Sequence, residues 1–149
     1  MLFALILAAK LLAATADWAA FDRGTTCEAI SRSLLVPRKG DEQPRIAISF
    51  DRSGARKGEL NVRLRRTARS GSSVIVTVGD QPFLLPARGP EAWSRGPRQE
   101  AAIIAAMRGT TSMSVEARDQ AGRRMVDRYS LGGAPTAIDA AAASCARSR

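Results

Sequence analysis

The alternation of Ile46, Ile48 and Phe50 with Arg45, Ala47 and Ser49 constrains this chain more than any other feature. A period of two places the apolar set on one side of a strand and the polar set on the other. Asp51-Arg52-Ser53-Gly54 then predicts a turn, and Glu59–Arg65 alternates again. Leu60, Val62 and Leu64 are expected to face in, with Glu59, Asn61, Arg63 and Arg65 facing out. Two such runs joined by a turn make an antiparallel hairpin with one wet face. A second hairpin follows, in which Ser73–Val78 and Pro82–Leu85 flank Gly79-Asp80. Val74, Val76 and Val78 line one side, while Ile75 and Thr77 leave the other partly apolar, so this strand is expected to be central. Pro82 suits the start of its partner, where no ladder N–H is required.

Two further strand-like runs, Ser112–Ala117 and Arg124–Leu131, enclose Asp119-Gln120-Ala121-Gly122, which predicts a turn. Between them and the second hairpin the period changes. Pro97 opens a segment in which Ala101, Ile103, Ile104 and Met107 form an apolar stripe, with Glu100 in the first turn, Arg108 in the last and Gly109 as the stop. That is a helix of about three turns. After Leu131, Gly132-Gly133 reads as a tight strand-to-helix turn, with Pro135 in the first helical position ahead of the Ala-rich run Thr136–Ala143. Thr136 and Asp139 resemble a capping box, with Asp in place of Glu or Gln. Nearer the N-terminus, Trp18–Phe21 reads as a short edge strand or a tie-down. Cys27–Leu35 fits both periods: Cys27, Ala29 and Leu35 as one strand face, or Ile30 and Leu34 at helical spacing, the strand being favoured. Val36–Gln43 and Pro86–Arg95 read as loops. Six to eight strands and two short helices point to a mainly β fold, an antiparallel β-sandwich with two short helices.

A chain of 149 residues is one domain's worth. Leu2 to Ala16 is an apolar run that ends Ala14-Thr15-Ala16 before Asp17, the small-x-small pattern of a cleaved secretory signal, and it is too short to span a membrane. Residues 1–16 are therefore expected to be a signal peptide, despite Lys10 within the run and no basic residue after Met1, the alternative being an uncleaved membrane anchor, and residues 17–149 a single sandwich domain. No transmembrane segment is expected after cleavage, and the destination is periplasmic or secreted. Export explains the two cysteines: Cys27 and Cys145 lie near the ends of the mature chain and are most simply a disulfide, the alternative being two buried free thiols.

The chain contains no histidine, which removes Ser-His-Asp and Cys-His nucleophiles. With two isolated cysteines it also lacks the donors of a zinc site. No Gly-x-Ser-x-Gly, Walker loop or dinucleotide glycine fingerprint occurs. Carboxylates sit in turns, at Asp41-Glu42, Asp51 and Asp80, where such residues ordinarily serve the turn. No enzyme activity, metal or cofactor is expected. Net charge is +9; without Lys10, 22 basic residues stand against 14 acidic ones, leaving +8. Such a balance allows contact with anionic surfaces without specifying one, but a proteome that uses arginine wherever a soluble charge serves is the favoured explanation. The densest cluster is Arg52, Arg56, Lys57, Arg63, Arg65, Arg66 and Arg69, seven cations in eighteen residues. It is the candidate binding face, a ledge for phosphate or carboxylate groups, which guanidinium grips with two prongs. The alternative is a solvated face that keeps a sheet edge from pairing. Specific nucleic-acid recognition is disfavoured, because Phe50 is the one aromatic near the cluster and it is expected to point inward.

The C-terminal half resembles the invasion-associated locus B family of small exported bacterial proteins. The resemblance is carried by Ala105-Ala106-Met107-Arg108-Gly109, by Met113-Ser114-Val115, and above all by Tyr129-Ser130-Leu131-Gly132-Gly133-Ala134-Pro135-Thr136-Ala137-Ile138. It covers about a third of the chain; where the family's turn usually reads Gly-Phe-Thr-Ala-Ala, Gly133–Ala137 reads Gly-Ala-Pro-Thr-Ala. The resemblance implies a periplasmic or surface-exposed β-sandwich, with host-cell interaction among some relatives and no catalytic residues to transfer. The expectation is a non-enzymatic, envelope-associated binding protein whose partner is an anionic envelope or host-surface component. The alternative is a structural or chaperone-like periplasmic module using the apolar Ile75/Leu84 side.

Overall fold

The structure is a computed structural model and describes residues 8–146. The first seven residues of the expected signal segment lie outside the described ones. The elements run β1 (Lys10–Thr15), β2 (Trp18–Asp22), β3 (Thr26–Arg32), β4 (Arg45–Asp51), β5 (Lys57–Arg63), β6 (Ser73–Val78), β7 (Gln81–Arg88), β8 (Glu91–Trp93), α1 (Pro97–Arg108), β9 (Ser112–Arg118), β10 (Arg124–Ser130) and α2 (Ala134–Ala146). All ten strands belong to one antiparallel sheet, ordered β1-β2-β3-β4-β5-β8-β7-β6-β9-β10.

β7 changes partner along its length: Gln81 to Pro86 pair with β6, whereas Ala87 and Arg88 pair with β8. That handover divides the sheet into two sections, and the far section folds back toward the first. Leu34 donates its N–H to the Arg128 carbonyl (2.8 Å), and the Trp18 indole Nε1 donates to the Ser130 carbonyl (2.8 Å). The result is a sandwich that encloses a single apolar core. The alternation in the sequence sets its inner faces: Ile46, Ile48, Leu60, Val62, Val74 and Val76 are each 1% exposed or less. Each such side chain contributes about 1.5–3 kcal/mol relative to exposure.

Both helices pack on this core. α1 starts at Pro97 and ends at Arg108, as its punctuation predicts, and buries Ile103 and Met107. Ala101 is exposed, so the buried stripe is narrower than the sequence suggests. Gly58 on β5 has φ +116°, and a Cβ there would come within 2.8 Å of Ile104 Cδ1, so the close seating of α1 depends on that glycine. α2 is pinned to β3 by a Cys27–Cys145 disulfide with Cα atoms 5.8 Å apart.

Four local expectations differ. Residues 10–15, inside the expected signal segment, form β1 along β2, so Trp18–Asp22 is not an edge in the described chain. Glu91–Trp93 is a strand and not loop; at three residues it is too short to show a period, yet Ala92 is buried between Val62 and Ala87. Pro86 lies within β7, where its missing N–H is tolerated because Gln81–Pro86 has a partner strand on one side only. No capping box forms, because α2 already begins at Ala134; Thr136 lies inside it, and Asp139 instead pairs with Arg108 of α1 at 2.5 Å.

Gly133 shows how tightly β1 and α2 meet. Its φ is +87°, and a Cβ would fall 1.8 Å from the Thr15 carbonyl oxygen. The backbone conformation alone costs a non-glycine residue about 1–3 kcal/mol. Gly133→Ala in the full chain is expected to lose at least that much stability in urea denaturation, since Thr15 backbone must also move. A loss well below 1 kcal/mol would contradict the Thr15–Gly133 approach.

Candidate functional site

The seven clustered cations do not form one ledge. The turn between β4 and β5 carries Arg52 and Arg56, and Lys57 opens β5, all three beside the disulfide. Arg52 donates to Asp22 Oδ2 (2.8 Å), to the Gly24 carbonyl (2.9 Å) and to the Ser144 carbonyl (2.9 Å), tying the turn to β2 and to the end of α2. The Ser144 hydroxyl, the Gly24 N–H and Arg52 hold the Asp22 carboxyl below the usual carboxylate range. Arg56 grips Asp51 with two prongs at 2.9 and 3.0 Å and, with Thr26, lowers that carboxyl as well. Lys57 and Arg69 are exposed and form no ion pair among the described residues.

Arg63, Arg65 and Arg66 share a cleft of about 500 Å³ with Glu42, Asp119 and Arg123. Here cations and acids alternate. Arg63 pairs with Glu42 at 2.7 Å, and Arg66 bridges Asp41 (2.8 Å) and Asp119 (3.0 Å). Arg65 pairs with Asp127, a carboxylate whose side chain is 2% exposed, and Asp127 raises the Arg65 guanidinium above its ordinary range. Burial pushes the Asp119 carboxyl up, but the Arg123 N–H together with the Arg66 and Arg123 guanidinium groups outweighs it and the net direction is down. Beside this network lies Tyr129, whose buried hydroxyl has no hydrogen-bond partner among the described residues and whose ionisation is driven upward by burial and by Asp127. These groups serve one another: five of the seven cations have carboxylate partners, which leaves little field for an outside anion.

A different cationic row emerges from strand pairing. Arg32 on β3 stands opposite Arg45 on β4, and Arg45 stands opposite Arg63 on β5. Arg63 in turn faces Glu91 of β8, which faces Arg88 of β7. The row lies on the outer face, since its strand neighbours Ser31, Ile46 and Val62 point into the core. Arg32 and Arg45 are exposed and form no ion pair among the described residues. Next to them is a hollow of about 600 Å³ whose walls include the apolar Ala19, Phe21, Ile30 and Leu34, with Arg32 and Arg45 also lining it. The loop that follows Arg32 leaves Leu34, Leu35 and Val36 exposed at 59%, 51% and 90%. The segment reads as a polar loop only from Val36 on, and Leu35 is not on the buried face with Cys27 and Ala29. The signal that would have found the row is the β3–β4 register, because linear spacing puts Arg32 and Arg45 far apart.

On the opposite section, Ile75 and Leu84 stand opposite each other, 36% and 48% exposed, with Glu116 on the other flank of Ile75. Among the described residues no three His, Cys, Asp or Glu side chains gather as metal ligands would, and no helix is long and apolar enough to cross a membrane. No family model, curated protein or solved structure matches the chain.

Proposed function

We propose that this chain is an exported, non-enzymatic, envelope-associated binding protein, similar in kind to the invasion-associated locus B proteins, that contacts anionic surfaces through an arginine-rich face. The observation that carries the reading is the in-register row Arg32, Arg45 and Arg63. Like charges directly opposite one another weaken a sheet, and among the described residues acids, Glu42 and Glu91, relieve only Arg63 of the three. An anionic surface laid across the row would neutralise Arg32 and Arg45. Export draws support from the Cys27–Cys145 bond, since such bonds persist in oxidising compartments.

The test is retention by envelope fractions. Each cation near an anionic surface is worth about 1 kcal/mol, so Arg32→Glu/Arg45→Glu is expected to lower retention by roughly tenfold or more, and added salt to do the same. Retention that ignores both changes removes the reading. The second reading, a structural or chaperone-like periplasmic module, rests on the exposed Ile75/Leu84 pair. It would show instead as retention lost in Ile75→Ser/Leu84→Ser and insensitive to salt.

A further inference from the structure

We propose that the loop between β3 and β4 is a membrane-docking tip, with Leu34, Leu35 and Val36 entering the headgroup layer of an anionic phospholipid bilayer while the surrounding cations bind its phosphates. The inference rests on the anionic-surface reading and names the surface. Three consecutive large apolar side chains, exposed at 59%, 51% and 90%, stand outside the apolar core. Around them stand Arg32, Arg38, Lys39, Arg45 and Arg128, all exposed and none in an ion pair among the described residues. The acids closest in sequence are turned to other duties: Asp41 is bound to Arg66 and Glu42 to Arg63. Asp17, in the wall of the adjoining hollow, is the acid that remains there.

The base of the loop is held rather than loose. Ser33 N–H donates to the Pro44 carbonyl (3.0 Å), Leu34 N–H to the Arg128 carbonyl (2.8 Å), and the Gln43 side chain to the Ser33 hydroxyl (2.9 Å). A tip presented this way enters a bilayer without first being ordered, which spares the entropy of fixing it. Apolar side chains ringed by Lys and Arg are the chemistry of interfacial binding: burial in the acyl boundary adds to attraction for anionic lipid. The hollow formed by Ala19, Phe21 and Ile30 continues the apolar surface beside Leu34, so acyl or glycerol groups displaced by the tip have a place to rest.

The experiment uses the full chain and two vesicle preparations, phosphatidylcholine alone and phosphatidylcholine mixed with phosphatidylglycerol. Cosedimentation is expected with the mixed vesicles only. Leu34→Ser/Val36→Asp should reduce the partition constant by about tenfold or more with the fold unchanged by circular dichroism. Val36→Trp should add an emission component that shifts to the blue on mixed vesicles. If tip variants partition like the parent and Val36→Trp emission stays put, the tip is overturned while loss in Arg32→Glu/Arg45→Glu keeps the anionic-surface reading. Retention by envelope fractions, or binding to a soluble polyanion, without binding to mixed vesicles likewise overturns the tip alone. Indifference to every anionic surface overturns both.

Discussion

Cys145→Ser is expected to lower the stability of the folded chain by about 4–5 kcal/mol. The bond joins residues 118 positions apart, so in the chain-entropy account it confines nearly the whole unfolded polypeptide. The two ends of the bond are also buried, Cys27 at 0% and Cys145 at 5% exposure, and Cys27 faces the core beside Ala29. A serine at Cys145 keeps the shape but leaves a hydroxyl among apolar neighbours. Without the covalent link, α2 is held to the sheet mainly by small side chains, since Ala134, Ala137, Ala141 and Ser144 are four of its six buried residues and Ile138 is the one large apolar group among them. For a domain of this size a kilocalorie per mole moves the melting temperature by about 2–4 °C, so a drop of roughly 10–20 °C should appear in calorimetry, and reductant should reproduce it in the parent. A variant that melts with the parent, or thiols that alkylate in the native state, would sink this view of the fold.

The other large effect is expected at Arg65 and Asp127. Asp127 is 1% exposed, and Arg65 reaches it across the cleft between the β5–β6 loop and β10. Removing the guanidinium strands a carboxylate in a site that water does not reach. Arg65→Ala should therefore cost about 3–5 kcal/mol in urea denaturation, although the pair as a whole need contribute little net stability. The double replacement Arg65→Met/Asp127→Leu separates these statements, because it removes the charges together and fills the space; it should recover most of the loss. If Arg65→Ala costs under 1 kcal/mol, or the double replacement is as damaging as the single one, Asp127 is better hydrated than its burial implies.

Alternation made the inner faces of β4, β5 and β6 legible, because a strand with one wet side states its orientation at every residue. Helix α1 was equally plain: Pro97, Glu100, Arg108 and Gly109 punctuate it at both ends. The turn at Asp119–Gly122 was legible for the same reason; its Asp accepts the Ala121 and Arg123 N–H groups. What could not be read was pairing between distant segments. β8 exists because Val62 and Ala87 flank Ala92, and neither is a sequence neighbour. The candidate site suffered the same blindness. Nearness along the chain assembled seven cations from Arg52 to Arg69, whereas three of the carboxylates that answer them, Asp22, Asp119 and Asp127, come from distant segments. The row through Arg32 and Arg45 needed the register of β3 against β4, and the exposed Leu34-Leu35-Val36 needed the knowledge that their strand had already ended at Arg32.

Because Cys27 and Cys145 fasten the third strand to the last helix, everything from Glu28 to Ser144 is covalently a closed ring. A protease that cuts once at Arg38 or Lys39, exposed in the loop between β3 and β4, opens it without parting it. The two pieces stay tethered through sulfur and remain docked along every strand pair that the cut does not touch, so the protein can be nicked in that loop and still keep its shape.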